Sequence, residues 1–145
     1  MGGDSAPASV VDGADIAKAK SPQIEILFVG DENIIRPLLG KSKFFKNGKV
    51  LHTGQAVSSG DTASQAVRRG RDSSMWLAIA EVAAKRADAV VSAGNTGALM
   101  AMAKLQLRTM PGITRPAIAG FFPTEHNPMC MLDLGANLEC DEELP

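Results

Sequence analysis

The chain has 145 residues, with 15 Lys and Arg against 16 Asp and Glu and a formal net charge of −1. That balance gives no general attraction to nucleic acid, and 4% aromatic content without a Tyr gives no base-stacking surface. With 45% apolar residues, a chain of this length forms one domain that buries about 68–70% of its unfolded surface.

No apolar run approaches the ~20 residues of a membrane span. Met1-Gly2-Gly3 approximates a myristoylation signal, but Ala6 stands where that signal needs Ser or Thr. Cys130 and Cys140 have neither metal-ligand nor disulfide spacing. They read as reduced thiols of a cytoplasmic protein, with Cys130 a small buried apolar group.

In chain order, Gly2-Gly3-Asp4 forms a loop, and Asp4 or Ser5 caps a helix that runs to about Lys20. Val10, Val11, Ala14 and Ala17 share one face of that helix, and Gly13 weakens it. Gln23 to Gly30 is the clearest strand, ending at Gly30-Asp31. Asp31 caps a short helix through Leu39 that Pro37 limits. Lys41 to Lys49 is a basic surface turn, Val50-Leu51-His52 a short strand, and Thr53 to Asp61 a loop.

Asp61-Thr62 caps a helix through Arg69, and Gly70 interrupts it. Asp72-Ser73-Ser74 caps the next helix, Met75 to Arg86, which is apolar nearly all round and needs more than one neighbour. Asp88 to Val91 is a short β-branched run with the pattern of a buried strand. A helix from Ala98 to Met110 follows, then strands at Arg115 to Phe122 and Met129 to Leu134.

Strands alternating with helices predict an α/β fold with a doubly wound, mainly parallel sheet. Ligands of such sheets bind beyond the carboxyl ends of the strands. Four polar, glycine-bearing turns fall at such ends: Gly2-Gly3-Asp4, Gly30-Asp31, Ser92 to Thr96, and Gly135-Ala136-Asn137.

The third turn organises the rest. Ser92-Ala93-Gly94-Asn95-Thr96-Gly97 leads from the expected strand at 88–91 into a buried helix. The first N–H groups of a helix have no partner within it, and its dipole is positive there. Phosphate is the usual guest of such a place. Gly94 and Gly97 allow close approach, Asn95 offers an amide, and Thr96 offers a hydroxyl or a helix cap. The plain structural alternative is a well-capped turn, with Asn95 in left-handed geometry.

These motifs together resemble one family. Met1-Gly2-Gly3-Asp4 with Pro7, Val29-Gly30-Asp31, Arg68-Arg69, Asp72-Ser73-Ser74-Met75, Ser92 to Met100, Arg115-Pro116-Ala117 and Leu132-Asp133-Leu134-Gly135-Ala136-Asn137 look like bacterial phosphate acyltransferase of phospholipid synthesis. The resemblance spans residues 1–145 as a single, partial catalytic domain, incomplete at both ends. It departs from the family's pattern in the turn from Ser58 to Ser64 and at Gly70.

The resemblance implies transfer of a fatty acyl group from acyl carrier protein to inorganic phosphate. The acyl phosphate then serves a membrane acyltransferase that acylates glycerol 3-phosphate. It further implies a three-layer α/β/α fold like isocitrate dehydrogenase and a cytoplasmic, peripherally membrane-associated homodimer. No metal or nucleotide cofactor is implied.

That chemistry suits the residues. Phosphate is already an anionic nucleophile and a thioester already an electrophile, so the protein must hold them together and stabilise an oxyanion. Asn95, Thr96 and Asp4 are the expected catalytic residues. Gly2, Gly3, Ser92, Gly94, Gly97, Asn137, Arg69, Arg71 and Ser73 are the expected substrate-binding residues. Arg68, Arg69 and Arg71 suit phosphate, a phosphopantetheine phosphate or an acidic carrier protein, or else form a solvated face.

His52 is a proton carrier or, more simply, a structural residue; His126 lies in a surface turn. Trp76, Met75, Met100 and Met102 are core or dimer contacts. Two further readings stand beside the transferase: another acyl-phosphate-forming transferase of the same fold, and a non-catalytic phosphate-binding fragment. The absence of Gly-x-Gly-x-x-Gly after a strand disfavours dinucleotide binding.

Overall fold

The computed structural model describes residues 2–132. The Asp133 to Asn137 motif, including Asn137, and Cys140 lie outside the described residues.

The first helix, α1 (Ala8–Lys20), starts after Pro7 with no side-chain cap. Asp4 and Ser5 are therefore not its caps, contrary to expectation. Proline supplies no N–H, which is tolerable where the first N–H groups lack partners anyway. Val11 and Ala14 are buried, whereas Val10 is 40% exposed, so the apolar face is narrower than its sequence suggests.

The strand β1 (Leu27–Gly30) is half as long as expected, because Ile24 N–H turns back to the Ser21 carbonyl. It pairs in parallel with β2 (Lys49–His52), Phe28 opposite Val50. Between them lies α2 (Glu32–Leu39), whose N-cap Asp31 accepts the Asn33 N–H at 2.9 Å. Val11, Ala14, Phe28, Ile35, Leu39 and Phe45 form the first core, with Phe28 and Phe45 edge-to-face at 5.3 Å.

The turn between α2 and β2 is not a plain surface turn. Ser42 and Phe45 are buried, and Asp15 of α1 anchors the turn. Its carboxylate accepts the Ser42 hydroxyl at 2.7 Å and the Lys43 and Phe44 N–H groups at 2.9 and 3.3 Å. The Ser42 hydrogen bond, followed by that from Lys43, holds the Asp15 carboxyl below its ordinary range.

A second core is helical. Thr62 and Gln65 form a capping box at the start of α3 (Ala63–Arg69). Ser73 caps α4 (Ser74–Ala83). Met75 and Ile79 of α4 pack with Ala66 of α3 and with Ala98 and Met102 of α5 (Thr96–Leu107). As the apolar circumference of α4 requires, it has neighbours on two sides, α5 and β1.

Two expectations fail here. Residues 88–91 form no strand, and Val91 is 96% exposed. A parallel strand needs neighbours for its N–H and carbonyl groups, and among the described residues no strand pairs with this run. The last two strands, β3 (Ala119–Phe122) and β4 (Met129–Leu132), form an antiparallel pair rather than part of one parallel sheet. Cys130 is exposed there, not buried. The class remains α/β with one parallel pair; among the described residues the strands form two separate two-stranded sheets.

Candidate anion site at the start of α5

Two glycine-bearing loops meet backbone to backbone. A Cβ on Gly2 would lie 2.7 Å from Gly94 Cα. Gly3 has φ +108°, and a Cβ there would lie 3.0 Å from the Ala93 carbonyl oxygen. A Cβ on Gly94 would meet the Met75 Cε at 3.2 Å and the Gly2 Cα at 3.3 Å. Residues 2–3 thus pack on residues 93–94, and Gly94 also reaches Met75 in the first turn of α4, approaches that glycine permits.

Ser92 holds the loop: its hydroxyl accepts the Gly94 N–H at 3.2 Å. Asn95 follows in extended geometry, φ −60° and ψ 113°, rather than the left-handed conformation weighed for it. Asn95, not Thr96, is the N-cap of α5, its Oδ1 accepting the Ala98 N–H at 2.9 Å. The Nδ2 group donates to the Asp61 carbonyl at 2.8 Å and to those of Ser59 and Ser58 at 3.3 and 3.4 Å.

The Asn95 carboxamide is therefore engaged at both ends. Ala98 N–H is capped by that side chain and Leu99 N–H by the Asn95 carbonyl. This leaves the Thr96 and Gly97 N–H groups without a partner among the described residues. Both residues are exposed, so two amide donors face solvent at the positive end of a 12-residue helix. At Gly97 a Cβ would find only ordinary contacts, so its lack of a side chain is not sterically required.

The remaining expected residues divide. Asp4 is exposed and follows directly on the Gly2-Gly3 contact. Ser73 is 1% exposed and fully used: its hydroxyl donates to the Gly70 carbonyl at 2.6 Å and accepts the Trp76 N–H. Arg69 lines a cavity of about 340 Å³ between the 54–57 segment and α3, together with Gln55, Asp61, Gln65 and Ser73. Arg71 lies over the Trp76 ring at 5.9 Å. Asp31 caps α2, the Gly30 carbonyl accepts the Thr53 N–H at 2.9 Å, and His52 Nδ1 accepts the Glu32 N–H at 3.1 Å. His52 is thereby a second cap for α2.

Sequence reasoning placed a turn at Ser58 to Ser64 but missed its contact with Asn95. The helix start at Asp61-Thr62 was legible, but nothing local shows that carbonyls 58, 59 and 61 converge on one distant amide. Gln55 and Gln65 were not singled out either, and both line the cavity.

An α/β chain whose glycine loops meet at an open helix N-terminus is the class this geometry defines. The chain belongs to the family described as "Fatty acid synthesis protein", which matches residues 1–144. It is 60% identical over 144 residues to the phosphate acyltransferase of Rhodospirillum centenum, covering 99% of this chain and 41% of that protein. The phosphate acyltransferase of Parvibaculum lavamentivorans is 53% identical over 97% of this chain and 40% of its own length. That of Rhodospirillum rubrum is 54% identical, again over 97% of this chain and 41% of its own. The chain thus spans about two fifths of the length of these relatives.

Proposed function

We propose that this chain supplies the phosphate-binding part of an acyltransferase that moves a fatty acyl group from acyl carrier protein to inorganic phosphate. The observation that carries this reading is the pair of open N–H groups at Thr96 and Gly97, in the same loop-to-helix segment as Gly94, which Gly2 contacts. The shared name of the relatives supports it.

A phosphate oxygen attacks the thioester carbonyl, a C–O bond forms, and the C–S bond breaks to release the carrier's thiolate. The thiolate takes up a proton from solvent. Backbone amides at the α5 N-terminus neutralise charge on the phosphate or on the oxyanion; losing one such donor typically costs ~2.7–4 kcal/mol. Asp4, beside the Gly2-Gly3 loop, orients the protonated phosphate oxygen. Arg69, in its cavity, meets the phosphate of the carrier's phosphopantetheine arm, and Arg71 meets the acidic carrier surface. Ser73 and Asn95 act by holding the surrounding loops.

The same reading places residues 1–145 in a three-layer α/β/α domain like that of isocitrate dehydrogenase. It makes the working protein a cytoplasmic, peripherally membrane-associated homodimer. Its product goes to a membrane acyltransferase specific for glycerol 3-phosphate. Among the described residues no helix is long and apolar enough to cross a membrane.

A second reading is a chain that binds phosphate without turnover, since open amides at a helix N-terminus hold an anion whether or not a thioester is present. Acyl-phosphate formation from acyl carrier thioester and phosphate, measured for this chain beside the full-length Rhodospirillum centenum relative, separates the two. Turnover by both supports the transferase. Turnover by the relative alone, with phosphate still bound by this chain, supports the second reading. Lack of phosphate-dependent acyl release by either contradicts the first.

A further inference from the structure

We infer that Asn95 is a positioning residue, a strap that seats the 58–61 turn against the α5 N-terminus, rather than a group that touches the reacting atoms. The inference rests on the phosphate reading of that terminus. A carboxamide has one acceptor and two donor hydrogens, and here each side has a task. Oδ1 caps α5 through Ala98 N–H, and Nδ2 reaches three carbonyls more than 30 positions earlier in the chain, the nearest at 2.8 Å. No donor is left over for an anion.

The turn is a small body in its own right. Ser58 N–H donates to Asp61 Oδ2 at 2.9 Å, and Asp61 N–H to the Ser58 carbonyl at 3.2 Å. These bonds give the turn its shape but attach it to nothing else. Its ends are held by Val57, packed on the second core, and by the Thr62 cap of α3; the turn between them is attached by Asn95. Asp61 also lines the cavity that holds Arg69. One side chain therefore ties the open amides of Thr96 and Gly97 to the wall of the Arg69 cavity. Phosphate at α5 and a ligand in that cavity are held at a fixed separation by this strap.

Asn95→Ser separates the two tasks. Serine ranks with asparagine as an N-cap, so α5 keeps its start, but its short hydroxyl does not reach the turn. The readouts are backbone order parameters at residues 58–61 and the affinity for inorganic phosphate by titration. In the native chain the turn is ordered near ~0.85; in Asn95→Ser it falls below ~0.6 while α5 is unchanged. Phosphate binding weakens about tenfold as the site loses its pre-arranged wall.

A turn that stays ordered in the variant overturns the strap. A loosened turn with native phosphate affinity overturns the positioning role. Native chain that binds no phosphate at α5 defeats the phosphate reading instead, while the order parameters still decide the strap. If the serine variant does not fold, Asn95→Thr keeps a capping hydroxyl, adds no charge, cannot donate to the three carbonyls as the amide does, and gives the same two readouts.

Discussion

Gly2 and Gly94, 92 positions apart in the chain, are in backbone contact: a Cβ on Gly2 would stand 2.7 Å from the Gly94 Cα. Gly94 in turn rests on Met75, whose side chain belongs to the second core. Gly2→Ala forces the two loops apart, and Gly94→Ala pushes against Met75. Each variant should lose about 1–3 kcal/mol of stability, the usual cost of overpacking. Gly13 is the control, because it lies in α1 with nothing within 4 Å of its absent Cβ. Gly13→Ala should gain about 0.5–1 kcal/mol. Urea midpoints of the three variants check the order.

The end of α4 carries a backbone conformation that its residue does not suit. Lys85 has φ 58°, with its N–H bonded to the Val82 carbonyl and the Arg86 N–H to the Glu81 carbonyl. That is a Schellman ending, whose left-handed position favours glycine. Lys85→Gly should raise stability by about 1 kcal/mol. An unchanged or lower melting temperature contradicts the assignment.

Asp15 should make stability depend on pH. Its carboxylate is held by Ser42 first and then by Lys43, so its folded pKa lies below the unfolded one. The contribution is therefore fully present above the unfolded value, about pH 4, and is lost as pH falls through the lower folded value. In urea titrations from neutral to acid pH, native chain should exceed Asp15→Asn above that point and converge on it below. Parallel curves across the whole range contradict the assignment.

Gly70 closes α3 where space is scarce. A Cβ there would meet the Ala66 carbonyl oxygen at 2.5 Å and Met102 Cε at 2.9 Å. Gly70→Ala should cost about 1–3 kcal/mol, with the α3–α5 contact loosened first. Hydrogen exchange of α3 amides checks this: native protection in the variant contradicts it.

The local signals were legible in the sequence, and the distant ones were not. Asp31, Thr62 and Ser73 cap helices as their spacing predicts, because a cap involves only three or four neighbouring residues. The run at 88–91 has the composition of a strand, but strand formation depends on a neighbour that local sequence does not specify. Cys130 between two methionines looked like core, yet its residue pairs only within the exposed β3–β4 ladder. The Asn95 motif was legible as the start of a helix. That its amide is spent on the 58–61 turn follows from tertiary contact alone.

The anion site itself is tested most directly by titrating inorganic phosphate into the isotope-labelled chain and following backbone amide resonances. Saturable shifts should be largest at Thr96 and Gly97, with smaller shifts at Gly2, Gly3 and Gly94. Shifts concentrated elsewhere, or none at Thr96 and Gly97 at any phosphate concentration, would contradict the account.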